Sequence, residues 1–403
     1  MLDAYIYDGL RSPIGRHGGS LSGVRADDLV ATLIAKLTSR AKFPKQAYED
    51  VLLGTTNQAG EDSRNVARYA GLLAGLPIET AGQTVNRLCA SGLAAVIDAA
   101  RAVTCGEGEL FVAGGVENMS RAPFVLGKAE SAFSREAKIF DSTMGARFPN
   151  PKFGAQFGDD TMPQTADNIA ADMGIGRAAS DEFALASQQK YAAAQAARFF
   201  EDEIEPIELP GKRKDGTVAV FAADEHPRPQ SDAAGLAKLK PLQKDGVVTA
   251  GNASGINDGA AVLILGSRKA GEAHGVKPRG RILAAAAAGV PPRVMGLGPV
   301  PASAKALQRA GLALKDMDVI EINEAFATQV LGCLQQMGLS ADDRRLNPNG
   351  GAIAIGHPLG CSGARLTLTA LRQLERTGGR YALVTLCIGV GQGLAAVIER
   401  VEK

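Results

Sequence analysis

The stretch LCASGLAAVIDAA (residues 88–100) returns in altered form as LGCSGARLTLTAL (residues 359–371), and the match aligns Ser91-Gly92 with Ser362-Gly363. Each copy opens a helical pattern with Ser-Gly. About twenty residues later each is followed by a strand ending in small residues, FVAGGVEN in the first case and ALVTLCIGVGQG in the second. Self-similarity of this kind marks a duplicated architecture. It predicts two similar halves that bring two equivalent helix N-termini to a shared interface; the plainer alternative is that two Gly/Ala-rich helix starts look alike by chance.

Around the first copy, strand and helix patterns alternate. YIYDGLR (5–11), DVLLGTTNQ (50–58) and GELFVAGGVEN (108–118) read as strands, and ADDLVATLIAKLTSR (26–40) and VARYAGLLAGL (66–76) as helices. This alternation predicts an α/β fold with a mostly parallel, buried sheet. From about residue 120 to 250 the pattern breaks into RAPFVLGK, FPNPKFGAQFG, a long helical run DEFALASQQKYAAAQAARFFEDEI and the polar DEHPRPQ. That segment reads as an inserted loop domain supplying a lid or an oligomer contact. The strand-like GNASGINDGAAVLILGS (251–267) follows, and alternation then runs to the end. The organisation expected is therefore an N-terminal half over 1–270, carrying the insertion, and a C-terminal half over 271–403.

Composition narrows the function. With 44 Lys+Arg against 43 Asp+Glu in 403 residues, no global field attracts nucleic acid or an anionic membrane. No apolar run is read as long enough to span a bilayer, and the N-terminus MLDAYIYDGLRSPIG lacks the order of a signal peptide, so the expected location is cytoplasmic. The five cysteines, Cys89, Cys105, Cys333, Cys361 and Cys387, form an odd set without a CxxC pair. They argue against a disulfide framework and against a metal site. Any special cysteine must be special by reactivity.

Four places carry candidate chemistry. Cys89 sits where a helix begins, where free N–H groups and a partial positive charge favour a thiolate; taken alone, a free cysteine is more often a small buried hydrophobe. Asn323 follows a strand in EINEAFATQ, as a site residue or as a helix cap. His357 lies in the glycine-rich NPNGGAIAIGHPLGCSGAR, and Cys387 and Gly389 in LCIGVGQG. All are at carboxyl ends of strands or at helix starts, where open α/β sheets place ligands. Cys105, Cys333 and Cys361 read as structural.

Taken in order, NRLCASG, GNASGINDGAA, NEAFA, NPNGGAIAIGHPLGCSGAR and CIGVGQG resemble the thiolase family over essentially the whole chain. The resemblance implies the thiolase fold, a duplicated five-layered αβαβα core in which two five-stranded sheets sandwich helices, with an inserted loop domain. It implies retro-Claisen cleavage of a 3-oxoacyl-CoA by the thiol of CoA, with no permanently bound cofactor and with coenzyme A and acyl-CoA as substrates. Cys89 matches the family's nucleophile, His357 the residue that takes its proton, and Asn323 the residue that works with His357 in one oxyanion site. Cys387 matches the general acid and base. The N–H groups of Cys89 and Gly389 match a second oxyanion hole, where glycine permits close backbone approach. More loosely, Ser254 and Met162 match positions lining the pantetheine tunnel, Phe326 packs beside the site, and Arg228 lies where the family meets the CoA phosphates, or is a solvated loop charge. A homotetramer, a dimer of dimers, is also implied.

NQAGEDSRNVARYAGLLAGLP (57–77), RAPFVLGKAESAFSREAKIFDSTMGARFPNP (121–151) and the spacing through DEHPRP are similar to the thiolases that cleave 3-oxoadipyl-CoA in aromatic catabolism. Such an acyl tail ends in a carboxylate, which requires a cation or hydrogen-bond donors in its pocket. Arg121, Lys128, Arg147 and Lys152 are the candidates by position; each is alternatively a surface charge. Ala90 departs from the usual glycine, and Ala146 from a bulkier residue. The alternatives are a general acetyl-CoA C-acetyltransferase or fatty-acid 3-ketoacyl-CoA thiolase, a condensing ketosynthase of the same fold, and a non-catalytic acyl-CoA carrier. Cys387 and the HPLGCSGAR motif weigh against the ketosynthase, and the four retained residues against the carrier. GGAIAIG lacks the spacing of a dinucleotide-binding loop.

Overall fold

The computed structural model describes residues 1–211 and 215–401. Its main sheet contains β1 (Ala4–Arg11), β2 (Asp50–Gly54), β3 (Ala81–Val85), β4 (Leu110–Asn118) and β5 (Asn257–Gly266) from the first half. The second half adds β6 (Gly280–Gly289), β7 (Val319–Ile322), β8 (Tyr381–Ile388) and β9 (Gln392–Arg400). Outward from β1 run β5, β4, β2 and β3; outward from β6 run β9, β8 and β7. Beyond β7 a single parallel bridge, Ile320 to Leu346, stands where a fifth strand of the second half would lie. The duplication is thus visible as two matching strand orders.

Two expectations are corrected. The halves are not separate sheets, because Ala4–Ile6 of β1 pair with Gly280–Ile282 of β6 and join them into one sheet. Nor is the sheet mostly parallel. β2 runs parallel to β3 and β4, and β7 to β8, but the remaining pairings among these strands are antiparallel. Connection length explains one of these pairs: β8 and β9 are joined by a turn too short for a crossover, which only an antiparallel pair allows.

The layers follow from strands buried on both faces. In β4, Leu110 and Val112 pack outward against α1 (Ala26–Arg40) and α2 (Val66–Leu73). Phe111 and Ala113 pack inward against α3 (Ser91–Cys105) and α8 (Leu359–Thr377). In the second half Leu383 faces α6 (Pro299–Ala310) and α7 (Ala327–Met337), while Ala382 and Val384 face α3 and α8. The order is helices, sheet half, α3 with α8, sheet half, helices. The window Leu88–Cys105 corrects one reading: it is long and apolar enough to cross a membrane by length and composition, and most of it is buried here as the central helix.

Within the insertion, α4 (Met162–Met173) and α5 (Arg177–Ala196) are the longest elements, and a small hairpin pairs Phe124–Leu126 with Ile139–Asp141. Arg11, fully buried on β1, fastens this segment: its Nε meets Glu203 at 2.6 Å and its terminal nitrogens meet Asp224 at 2.7 and 2.9 Å.

The echo has a physical purpose. A β-carbon on Gly92 would overlap the carbonyl oxygen of Gly360, and one on Gly363 would overlap the backbone nitrogen of Leu93. The starts of α3 and α8 therefore touch backbone to backbone, with glycine required on both sides. Gly363→Ala is expected to destabilise the fold by about 1–3 kcal/mol through overpacking, read as a lower urea midpoint. An unchanged midpoint would show that the helices have room between them.

Candidate active site

The turn ahead of α3 is held by side chains. Leu88 adopts φ +46°, a left-handed conformation costly for a non-glycine residue. Ser91 Oγ accepts from the N–H of Arg87 (2.9 Å) and donates to Leu88 O (2.6 Å), and Asn86 Oδ1 accepts from the N–H of Leu88 (3.0 Å). The helix starts at Ser91, so Cys89 lies in the turn before it and not in its first turn. Burial pushes the Cys89 thiol above its ordinary value, outweighing the N–H groups of Gly389 and of Cys89 itself, which pull it down. The helix-start argument for a resting thiolate is thereby corrected: desolvation wins, and Cys89 rests as a thiol that needs a base.

In the other half, His357 is held by a hydrogen-bond set of its own. The N–H of His357 donates to Asn257 Oδ1 at 2.9 Å, and Gly356 before it takes φ +110°, with the Asn257 amide too close to leave space for a side chain. Ser362 Oγ donates to Pro358 O (2.8 Å), so it accepts from His357 Nδ1 (2.6 Å). This fixes the tautomer and leaves Nε2 as the bare acceptor, 3.3 Å from Asn323 Nδ2. Burial, reinforced by Arg365, lowers the His357 pKa to about 3. A neutral imidazole with an unprotonated Nε2 is the form a general base requires. Asn323 is not a helix cap: α7 begins at Ala327, with Phe326 as its N-cap.

Cys387, near the end of β8, is buried among Ala166, Ala253, Met295, Ala325 and Phe326. Burial first, then the neighbouring Cys89, raises its pKa well above the ordinary thiol value, so it rests protonated. In the turn to β9, Gly389 has no positive φ, and a β-carbon there would make ordinary contacts with Leu88 Cδ1 (3.4 Å) and Met162 Sδ (3.8 Å). Glycine is therefore not demanded by backbone clash, as expected from sequence; it keeps the space between Leu88 and Met162 open. Ser254 joins the site through its N–H to Ala325 O (3.0 Å), and Ala253 bridges Phe326. Arg228 is exposed, two residues after His226, whose buried ring packs on Gly255 next to Ser254. Cys333 and Cys361 are buried, with pKa values pushed by burial to about 12, and Cys105 ends α3 exposed.

Two buried carboxylates stand beside the site: Glu324, marked in the sequence with Asn323 but given no role, and Glu117, which the sequence reading missed. Glu117, at the end of β4, accepts from Thr55 Oγ1 (3.2 Å) and from the N–H groups of Thr56 (3.0 Å), Asn57 (3.2 Å) and Gly360 (2.9 Å). It ties the β2 loop of one half to the start of α8 in the other. Glu324 accepts from Ser187 Oγ (2.6 Å), Asn347 Nδ2 (2.8 Å) and the N–H of Ile353 (3.1 Å), holding the loop that leads to His357. Their signal was a carboxylate at a strand end, next to glycine or asparagine. Arg365 and Glu321 form a further buried pair at 3.8 Å, with Glu321 pushed by burial to about 8. Of the four cations proposed for the acyl tail, Arg121 is paired with Glu61 and Arg147 donates to Ser142 O (2.9 Å). Lys128 and Lys152 are exposed.

Residues 4–269 match the model of the thiolase N-terminal domain and residues 276–400 that of the thiolase C-terminal domain. The chain is 57% identical over 403 residues, all of both chains, to a beta-ketoadipyl-CoA thiolase of Escherichia coli. It is equally similar, 57% over 403 residues, to a 3-oxoadipyl-CoA/3-oxo-5,6-dehydrosuberyl-CoA thiolase of Escherichia coli strain K12, again across all of both chains. Among solved structures it superposes on the Bacillus anthracis acetyl-CoA acetyltransferase with a TM-score of 0.92 at 38% identity, covering 100% of this chain and 99% of that one.

The depressed pKa of His357 has a thermodynamic consequence. Between about pH 6.5 and pH 3 the unfolded imidazole binds a proton that the folded one refuses. More protons on the unfolded state mean that stability falls as pH falls through that window. His357→Asn is therefore expected to lose stability less steeply than the parent protein between pH 6.5 and 4.5, measured by urea midpoints at each pH. Parallel declines would mean that the ring titrates freely in the folded state.

Proposed function

The chain belongs to the thiolase family, and on that premise we propose that it cleaves 3-oxoadipyl-CoA with CoA into succinyl-CoA and acetyl-CoA by ping-pong chemistry through an acyl-Cys89 intermediate. The observation that carries the reading is the end-to-end identity of 57% to beta-ketoadipyl-CoA thiolases, supported by two groups of residues, Cys89 with Gly389 and Cys387, and His357 with Asn323.

The Cys89 proton passes to His357 Nε2 as the sulfur adds to the 3-oxo carbon. The N–H groups of Cys89 and Gly389, already aimed at the sulfur, stabilise the resulting alkoxide. Collapse breaks the bond between C2 and C3, and the electron pair moves into the thioester carbonyl as an enolate. His357, now carrying a proton, and Asn323 Nδ2 hold that oxygen. Cys387, a thiol at rest, protonates C2 and releases acetyl-CoA, leaving succinyl-Cys89 and a Cys387 thiolate. The incoming CoA thiol gives its proton to Cys387 and attacks the acyl carbon. Succinyl-CoA departs, and the Cys89 sulfur regains its proton from His357. Charge is created only as a step requires it, because burial keeps both thiols protonated and the imidazole neutral beforehand.

Ser254, Met162 and Phe326 line the approach to the site in this reading, and Arg228 meets the nucleotide phosphates. The reading also includes a cytoplasmic location and a dimer-of-dimers assembly, the latter checked by native mass.

The purified protein is expected to cleave 3-oxoadipyl-CoA with a kcat/KM at least about tenfold above that for acetoacetyl-CoA or a medium-chain 3-oxoacyl-CoA, the margin one well-placed polar contact supplies. Cys89→Ala is expected to abolish all three. Equal or better cleavage of acetoacetyl-CoA would move the protein to the general acetyl-CoA acetyltransferases with the same mechanism, and activity surviving Cys89→Ala would remove the acyl-enzyme.

A further inference from the structure

Resting on the 3-oxoadipyl-CoA reading, we propose that Arg147 is the specificity residue that receives the terminal carboxylate of the acyl group. A carboxylate carried into a cleft beside buried thiols must meet a cation whose own charge is not already neutralised. The structure separates the four candidate cations named from the sequence by this criterion.

Arg121 is spent. Its Nε and one terminal nitrogen grip both oxygens of Glu61, and its other terminal nitrogen donates to Ser22 O at 3.1 Å. Lys128 and Lys152 are exposed, and no side-chain contact among the described residues carries either of them toward the nucleophile turn. Arg147 alone of the four is half-buried, and no carboxylate lies within ion-pair distance of it among the described residues. Only one N–H of its guanidinium is engaged, by Ser142 O at 2.9 Å, so the planar fork that matches a carboxylate remains available.

Its position is tied to the nucleophile by a continuous set of contacts. Ser142, which holds Arg147, is buried, and Asn57 Nδ2 donates to its Oγ at 3.4 Å. The N–H of Asn57 donates to Glu117, the carboxylate whose charge acts on Cys89. One residue earlier, Thr56 O accepts from Asn86 Nδ2 at 3.3 Å, and Asn86 Oδ1 holds the N–H of Leu88, the neighbour of Cys89. Arg147 is thus anchored to the same β2 loop that braces the nucleophile turn. The acyl group left on Cys89 has only two methylenes between its thioester carbon and its carboxylate, so the cation must stand close to that turn. An arginine suits the reach, with a long stem and a forked head. The residue acts on both half-reactions, since the carboxylate stays on the enzyme as succinyl-Cys89 after acetyl-CoA has left.

The experiment measures kcat/KM of the parent protein, Arg147→Gln and Lys128→Gln on three substrates: 3-oxoadipyl-CoA, its terminal methyl ester, and acetoacetyl-CoA. Arg147→Gln is expected to lose about 10- to 100-fold on 3-oxoadipyl-CoA, the range for a charge-assisted hydrogen bond. It should stay within about twofold of the parent on acetoacetyl-CoA, with the acid-over-ester preference abolished. Lys128→Gln should retain that preference. An equal loss on all three substrates would make Arg147 a brace for the Ser142 turn and overturn the proposal, as would an unchanged acid-over-ester ratio. A parent protein that shows no preference for 3-oxoadipyl-CoA over acetoacetyl-CoA would instead overturn the substrate reading itself, before any variant is compared.

Discussion

The structure depends on the contact between two helix starts. Gly92 lies against the carbonyl of Gly360, and Gly363 against the backbone of Leu93. Gly54 and Gly115 extend the same condition into the strands, since a β-carbon on Gly54 would strike Ser91 and one on Gly115 would strike Gly360. Backbones at this separation bring two loops from different halves within reach of one another: the turn carrying Cys89 and the turn carrying His357. A methyl group between them would move the imidazole away from the thiol, and in the proposed mechanism such displacements of reacting groups are costly in rate. The internal echo of the sequence is the imprint of this crossing.

Desolvation then decides the chemistry. Both functional thiols are pushed up, and the imidazole is pushed down to about 3. In water the same three groups would include a partly charged histidine; here none is charged at rest. Proton transfer is consequently coupled to bond making, and the charges that appear meet N–H groups already fixed in place. The cost of burying polar side chains is offset by closed hydrogen-bond sets, such as the four donors on Glu117 and the chain from His357 through Ser362 to Pro358.

The sequence made legible what depends on periodicity and on rare residue combinations. The helix at 26–40 and the strand starting near residue 4 are local matters of amphipathic pattern, and they stand where expected. Cys89, Asn323, His357 and Cys387 stood out because thiol, amide and imidazole in glycine-rich turns at strand ends have few scaffold explanations. What sequence could not supply was distance. It could not tell that β1 would pair with β6, a contact of three residues between segments far apart in the chain. It took the helix start as the decisive influence on Cys89, whereas the packing around the sulfur is the larger one. It also passed over Glu117, because a glutamate closing a strand looks like a surface residue until its four partners are assembled in space.

The division of labour between core and insertion explains how one chemistry can serve different acyl groups. Cys89, Asn323, His357, Cys387 and Gly389 all stand at β-strand ends or just before helix starts of the duplicated core. The residues that would discriminate one acyl tail from another lie beyond β4, in a segment that carries a short hairpin, exposed aromatic side chains and cations with differing degrees of neutralisation. Loops tolerate substitution that a close-packed core does not. On the proposed reading, a change of specificity requires only that a cation be released from, or captured by, a neighbouring carboxylate, and Arg121 on Glu61 beside Arg147 on a backbone carbonyl shows both states within one molecule.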